Sequence, residues 1–402
     1  MAHRNILLLL LLLITVSRAA LELYIPLLPA ISHYFNVSEI YTQCSITAYL
    51  IGMGGSQFIY GPLSERYGRK NIILLGLVIF IIGNILCVTA KSINILICSR
   101  LLTGIGGGVG FNMVRAVAAD IFQGKELVKA LSSITIALAI TSMLVPLVSS
   151  YIAAYSSWHG SVISIVLHSS ILCVIIFKYL PETNSNIKTV PLNLNSVCNN
   201  YFSLLLNKPF MLRVLISTLA LSGIISYTQI SPFLIIEGLG YSSKEYSVVS
   251  LFITTAYLIS GYFMKVFLPK LSTTTILIIG TLLLISSGLF MLMLFLLKMY
   301  DIWSIIIPTM IYIMGANIII SHNNAEALSS FAAGYTSSII GGVQMLGSAL
   351  MSTLLIKFLP HGQLSLALIF GGLGLVLFVV VGFRILKTNR KYQHIDPPIN
   401  KV

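Results

Sequence analysis

Apolar residues along this chain gather into long runs with short polar breaks between them. The runs lie near 6–31, 40–60, 71–90, 93–118, 128–153, 159–180, 210–236, 246–267, 273–297, 302–321, 333–356 and 363–386. About 20 apolar residues at ~1.5 Å per residue cross a ~30 Å hydrocarbon core as a helix. The pattern therefore predicts an all-α membrane protein with twelve transmembrane helices. The longest interruption, Pro181 to Lys208, is rich in Asn and follows the sixth run. It divides the chain into a six-helix bundle over 1–180, a linker over 181–208, a second six-helix bundle over 209–386 and a tail over 387–402. Two bundles of six helices joined by a linker is a plan used by transporters. The first run continues past residue 22 with no small-residue cleavage site, so it is expected to be retained and not removed as a signal peptide.

Composition agrees: of 402 residues, 57% are hydrophobic and only 9% charged, so no soluble class fits. The formal net charge of +13 raises the question of nucleic acid, but the placement of the basic residues answers it. Arg4, the Arg66–Lys70 segment, Lys125, Lys129, Lys178, Lys188, Lys208, Arg213, Lys265, Lys270 and the tail all fall on one side of the predicted membrane. Lys91, Lys244, Lys298 and Lys357 fall on the other. This is the positive-inside asymmetry, and it predicts a multi-pass membrane protein with both termini cytoplasmic. Five scattered cysteines in apolar surroundings read as small buried hydrophobes, and no His/Cys/Asp/Glu cluster points to a metal. Short loops leave no room for a catalytic domain, so an enzyme is not expected. A polytopic membrane transferase would need acids or histidines gathered at one surface, and here they are dispersed.

Glu22 is the exception among the acids. The other ten sit in or beside polar breaks, whereas Glu22 lies inside the first run. An ionisable group at that depth costs stability and by default marks a substrate or proton path. The alternative is a carboxylate neutralised by Arg18, one turn earlier on the same face. Pro26 and Pro29 follow on that face and break or kink the helix beside the carboxylate. Arg100 opens the fourth run, and residues 104 and 106–108 after it are glycines, which permit close helix packing. Helix rise places Glu22 and Arg100 at similar depth, roughly 5–9 Å from the midplane, so the two are expected to make electrostatic contact. Gln43, Tyr49, Tyr227, Gln229 and Gln344, with Tyr24 beside the carboxylate, are the candidate lining of a substrate cavity.

The loop after the second run reads Gly61-Pro62-Leu63-Ser64-Glu65-Arg66-Tyr67-Gly68-Arg69-Lys70. It resembles the major facilitator superfamily loop G-x-L-a-D-r-x-G-R-[RK], with Glu65 in place of the usual Asp. By resemblance, Gly61, Glu65, Arg66, Gly68, Arg69, Lys70 and Asp120 would latch the two bundles, with Glu65, Arg69 and Asp120 as a charge network. Arg100 resembles the arginine of the family's fourth-helix motif, implicated in proton coupling. Glu22-Leu23-Tyr24-Ile25-Pro26-Leu27-Leu28-Pro29 resembles the D-m-Y-l-P-a-l-P stretch of the bicyclomycin/chloramphenicol-resistance (Bcr/CflA) group of drug:proton antiporters. Gln43, Tyr49, Gly52 and Gln57, then Ser157-Trp158-His159, Leu180-Pro181-Glu182-Thr183, Ile230-Ser231-Pro232-Phe233 and Gly342-Val343-Gln344 extend the resemblance over nearly the whole chain. Three features depart from the group. Glu22 replaces Asp, Arg18 stands where a neutral residue is usual, and of the fifth-helix pattern G-x-x-x-G-P-x-x-G-G only Pro146 remains.

The resemblance implies proton-coupled antiport (efflux) of a drug-like or other small organic molecule across a bacterial inner membrane by alternating access. No cofactor is implied; the proton gradient drives the cycle, and the protein works as a monomer. Transport of a physiological metabolite such as a siderophore, in either direction, is the alternative.

Overall fold

The computed structural model describes residues 3–184, 194–267, 271–329, 333–359 and 362–393, so Lys188, Lys270 and most of the predicted tail lie outside the described residues. Described residues form helices and connections. We number them α1 (Arg4–Phe35), α2 (Glu39–Tyr67), α3 (Arg69–Val88) and α4 (Ile93–Ile121). A single stretch, Gly124–Tyr179, breaks at Ser157 into α5 (124–156) and α6 (158–179). The remainder are α7 (Leu194–Leu205), α8 (Lys208–Gly238), α9 (Ser243–Phe267), α10 (Thr273–Leu296), α11 (Ile302–Ser329), α12 (Ala333–Phe358) and α13 (Gln363–Gln393). Among the described residues, ten helical stretches are long and apolar enough to cross a membrane. Splitting the stretch at Ser157 and adding α2 brings the membrane helices to the twelve of the sequence pattern.

Helix α2 is less apolar than those ten because so much of its buried surface is polar, including Thr42, Gln43, Ser45, Thr47, Ser56 and Gln57. That composition follows from its position. It packs on α4 within the first bundle and on α12 across the seam to the second, so it meets protein on both sides. Helices α1–α6 pack among themselves, as do α8–α13, and the main crossings between the sets are α2 with α12 and α5 with α9. Helices within the first bundle approach closely where side chains vanish. A Cβ at Gly104 would overlap the Tyr49 carbonyl of α2, and one at Gly106 would overlap the backbone of Phe80 on α3. Helix starts are capped locally. Asn207 accepts from the Phe210 amide at 3.1 Å and Ser272 from the Thr275 amide at 3.1 Å.

The linker helix α7 and the ends of α2, α4 and α11 mark one face of the molecule, here the terminal face; the other is the distal face. Polar contacts between bundles concentrate toward the distal face. Gln43 donates to the Gln229 carbonyl at 3.1 Å, and Thr47 and Thr353 lie 2.7 Å apart. Ser150 and Ser247 meet at 2.5 Å, Ser247 donates to the Pro146 carbonyl at 2.9 Å, and His33 pairs with Glu237 at 2.9 Å. The distal side is closed.

Candidate functional site

Helix α1 is interrupted just after its carboxylate. The α-helical ladder ends at Glu22, a 3₁₀ turn covers Ile25–Leu27 with Pro26 in it, and the helix resumes at Leu28. Proline supplies no amide hydrogen, so the break leaves backbone and side chain free to take other partners. Arg18 and Glu22, one turn apart on the same face, form an ion pair at 2.5 Å. Ser142 of α5 joins both, accepting from Arg18 Nε at 3.0 Å and donating to Glu22 Oε1 at 3.0 Å. Glu22 itself is buried. Tyr257 of α9, across the seam, is half-buried and within electrostatic reach of both charges. Sequence reasoning missed Ser142 and Tyr257, since nothing in their local pattern sets them apart from other polar positions in apolar helices.

Arg100 does not pair with Glu22 as its depth had led us to expect. It is buried between two aromatic rings, its guanidinium carbon 4.2 Å from the centroid of Tyr24 and 4.5 Å from that of Tyr49. One guanidinium nitrogen donates to the Ala20 carbonyl at 3.2 Å, and Nε has no partner. The reason is competition: Arg18 sits on the carboxylate's own helix and reaches it first. Cation–π contact then holds the second arginine, worth ~2 kcal/mol or more when desolvated. This also moves Tyr24 and Tyr49 out of any open cavity. Their hydroxyls are engaged behind the arginine, Tyr24 with Ser45 at 2.9 Å and Tyr49 with the Ser17 carbonyl at 2.8 Å.

The remaining candidate lining residues lie along the seam between bundles. Gln229 is buried and donates to Thr47 at 3.0 Å, complementing the Gln43 contact, and Tyr227 is buried beside Ser231. Gln344 donates to Asn324 at 2.7 Å. Gln43 also borders a cavity of about 330 Å³ at the distal face, with Glu39, Glu237, Phe233 and Gly238 among its other walls.

At the terminal face, Arg69 lies 3.1 Å from Asp120 and also donates to Ser64. Glu65, expected in this network, is exposed, and among the described residues no ion pair includes it. Glu182 takes the capping role instead, accepting from the backbone amides of Arg69 and Lys70 at 2.8 and 3.1 Å. A carboxylate is favoured there because those amides open α3 with no helical partner of their own. Gly68 makes room: its φ is +91°, and a Cβ would collide with the Glu182 carboxylate. Lys70 extends over Phe177 at 5.7 Å, Arg66 over Tyr67 at 5.5 Å, and Gly61 faces Ser338 of α12 across the seam. Among the described residues no group of three or more His, Cys, Asp and Glu could hold a metal.

This architecture has relatives. The sequence profile of the Major Facilitator Superfamily matches residues 10–354. The chain belongs to that superfamily. It is 27% identical over 375 residues to multidrug resistance protein D of Escherichia coli (strain K12), covering 93% of this chain and 94% of that protein. The bicyclomycin resistance protein homolog of Haemophilus influenzae is 24% identical over 336 residues, covering 83% and 84%. Both relatives agree with the resemblance to the Bcr/CflA group. In fold, the chain matches a D-xylose-proton symporter with TM-score 0.73, at 16% identity over 93% of this chain and 96% of that one. It matches a POT family transporter crystallised with 5-aminolevulinic acid with TM-score 0.77, at 14% identity over 96% of each. The superfamily fold places the Glu22–Arg18–Ser142 group and the Arg69–Asp120 pair in a multi-pass membrane transporter.

Proposed function

We propose that this chain is a proton-coupled exporter of small organic molecules in a bacterial inner membrane, working by alternating access as a monomer without a cofactor. The basic terminal face would be cytoplasmic, so the closed distal side corresponds to an inward-facing state. Relatives named for multidrug and bicyclomycin resistance support export as the activity. The observation that carries the proton step is Glu22: an acid at depth, beside a helix break, held by one arginine and one serine. Adding a proton removes its charge, dissolves the pair with Arg18 and loosens α1 from Ser142 on α5. Losing the proton restores that tie. Helix α5 also touches α9 across the seam, so the change reaches the contact that must open on the distal side. Arg69, Asp120, Ser64 and Glu182, with Gly68 as the turn, would set the energy of the closed terminal face.

The test uses inverted membrane vesicles holding an inward-acid gradient, with pH-dye recovery on addition of candidate compounds. Wild-type protein should give recovery with at least one compound, and Glu22→Gln should abolish it. Equal recovery in both proteins would leave the chain an antiporter but remove Glu22 from the proton path.

A further inference from the structure

The distal cavity of about 330 Å³ lies on the seam, with walls from α2 of the first bundle and from α8, α12 and α13 of the second. Its lining is graded by depth. Two carboxylates stand at the mouth, the half-buried Glu39 of α2 and the exposed Glu237 of α8, one from each bundle. Gln43 and Ile230, both buried, close the floor, ~6 Å and roughly 10 Å below those acids along their helices. Phe233 and Ile356 give the cavity apolar sides. Among the described residues that line it none is basic, and Lys357, one residue past Ile356, is exposed and outside the wall.

Two groups in this lining lack a partner of matching strength. Glu237 sits in the last turn of α8, where the carbonyl end of the helix dipole disfavours a negative charge. Glu39 opens α2 and gains from its helix, but Glu237 has no such reason for its place. Its ion-pair partner, His33 of α1, lies 2.9 Å away with a side chain 77% exposed, and a pair held that far into solvent contributes little. Gln43 is the second case. It is only 4% exposed, its amide nitrogen is spent on the Gln229 carbonyl, and its Oε1 has no hydrogen-bond partner. A buried acceptor without a donor is costly. Glu39 and Gln43 stand four residues apart on one face of α2, close enough for one ammonium with three N–H donors to meet both. A bare divalent ion fits less well, since it takes six or more oxygens and the apolar sides supply none.

We propose that this cavity is a binding site for a small amphipathic amine entering from the distal side. Its ammonium is held between Glu39, Glu237 and the Gln43 amide oxygen, and its apolar body lies against Ile230, Phe233 and Ile356. The cavity is of a size that small ligands use, at the lower end of their range. The site stands apart from the Glu22 group and does not depend on the exporter reading, so either can fail without the other.

Purified protein in a neutral detergent is titrated with tritiated tryptamine. Saturable binding is expected, weakened at least tenfold in Glu39→Gln and in Glu237→Gln. It should be unchanged in Asp301→Asn, which alters an acid of the distal face outside the cavity and keeps the cap on the Ser304 amide. Tryptophol, the neutral alcohol of the same shape, should compete at least tenfold less well than unlabelled tryptamine. No saturable binding, equal competition by tryptophol, or wild-type binding in either glutamine variant would overturn the proposal. Displacement by Mg²⁺ at equal concentration would assign the carboxylates to a divalent ion and overturn it as well. Binding that falls in Glu22→Gln but holds in Glu39→Gln and Glu237→Gln would place the amine in the transport path, with the same consequence.

Discussion

The two bundles are built alike at the terminal face and unlike at depth. The fourth helix of each ends in an acid clasped by arginine: Asp120 with Arg69 in the first, Glu326 with Arg213 and Arg384 in the second. The second clasp is larger. Glu326 lies 3.0 Å from Arg213 of α8, 2.7 Å from Arg384 of α13 and 3.1 Å from Thr273 of α10, so one carboxylate ties four helices. At depth the order reverses. The first bundle holds Arg18, Glu22, Arg100 and Arg115, whereas the second fills the corresponding region with neutral rings. Tyr312 stacks on Phe370 at 4.1 Å and donates to the Ala220 carbonyl at 3.1 Å. The first bundle gives up packing quality for charge that can work, and the second is a neutral wall with a firmer clasp.

The largest break in this comparison is expected from Arg100→Leu. A buried charge without an acid partner is costly, and an apolar replacement of similar volume removes that cost. Thermal stability in detergent should hold or rise while transport falls a hundredfold or more, about 2.7 kcal/mol. Arg100→Lys keeps the charge but loses the flat stacking on Tyr24 and Tyr49, and should fall between. Full transport by Arg100→Leu would make the arginine a structural relic and remove the functional contrast between the bundles.

The clasps come next. Glu326→Gln strips the shared partner from Arg213 and Arg384 and should lower stability by about 2 kcal/mol, below the 3–5 of a fully buried pair because the site is partly open. Asp120→Asn loses one arginine contact and one from Thr183, and should lower it by about 1 kcal/mol. Apparent unfolding midpoints of the two variants, taken in one detergent, check the order. A reversed order would mean that the first bundle carries the firmer clasp.

What the sequence disclosed and what it hid follow from range. The twelve runs are legible because the membrane demands a repeated local pattern, and Glu22 is legible because it violates that pattern. The Arg18–Glu22 pair is likewise local, one turn along a helix. Partners far apart in the chain carry no local mark. Glu182 reaches the Arg69 amide across 113 positions, a contact that the loop's resemblance to the family motif, which points to Glu65, does not reveal. The two tyrosines around Arg100 were picked out as polar groups facing a cavity, but a hydroxyl at depth is equally well placed to bond a backbone carbonyl. Glu326 went unremarked because it stands at a helix end, as most of the acids do, and only folding shows that two arginines converge on it.

The smallest effect sharpens the comparison at the corners. In the first bundle the fifth and sixth helices meet at a tight turn on the distal face. In the second bundle Gly362, just before α13, has φ +101°. The first has Ser157 at φ +65° and ψ +177°, a region that is nearly reserved for glycine. The Ser157 hydroxyl lies 3.3 Å from His159 Nδ1, and Trp158 next to it packs on Tyr34 and Phe35 of α1, which explains how the turn holds its shape. Ser157→Gly removes strain of about 1–3 kcal/mol and adds the chain entropy of glycine, about 0.5–1 kcal/mol, to the cost of folding. The net expected gain is about 0.5 kcal/mol or somewhat more, read as a small rise in apparent midpoint with transport unchanged. A fall instead would mean that the hydroxyl's contact with His159 outweighs the backbone strain, and that the first bundle holds this corner by side-chain bonding where the second uses glycine.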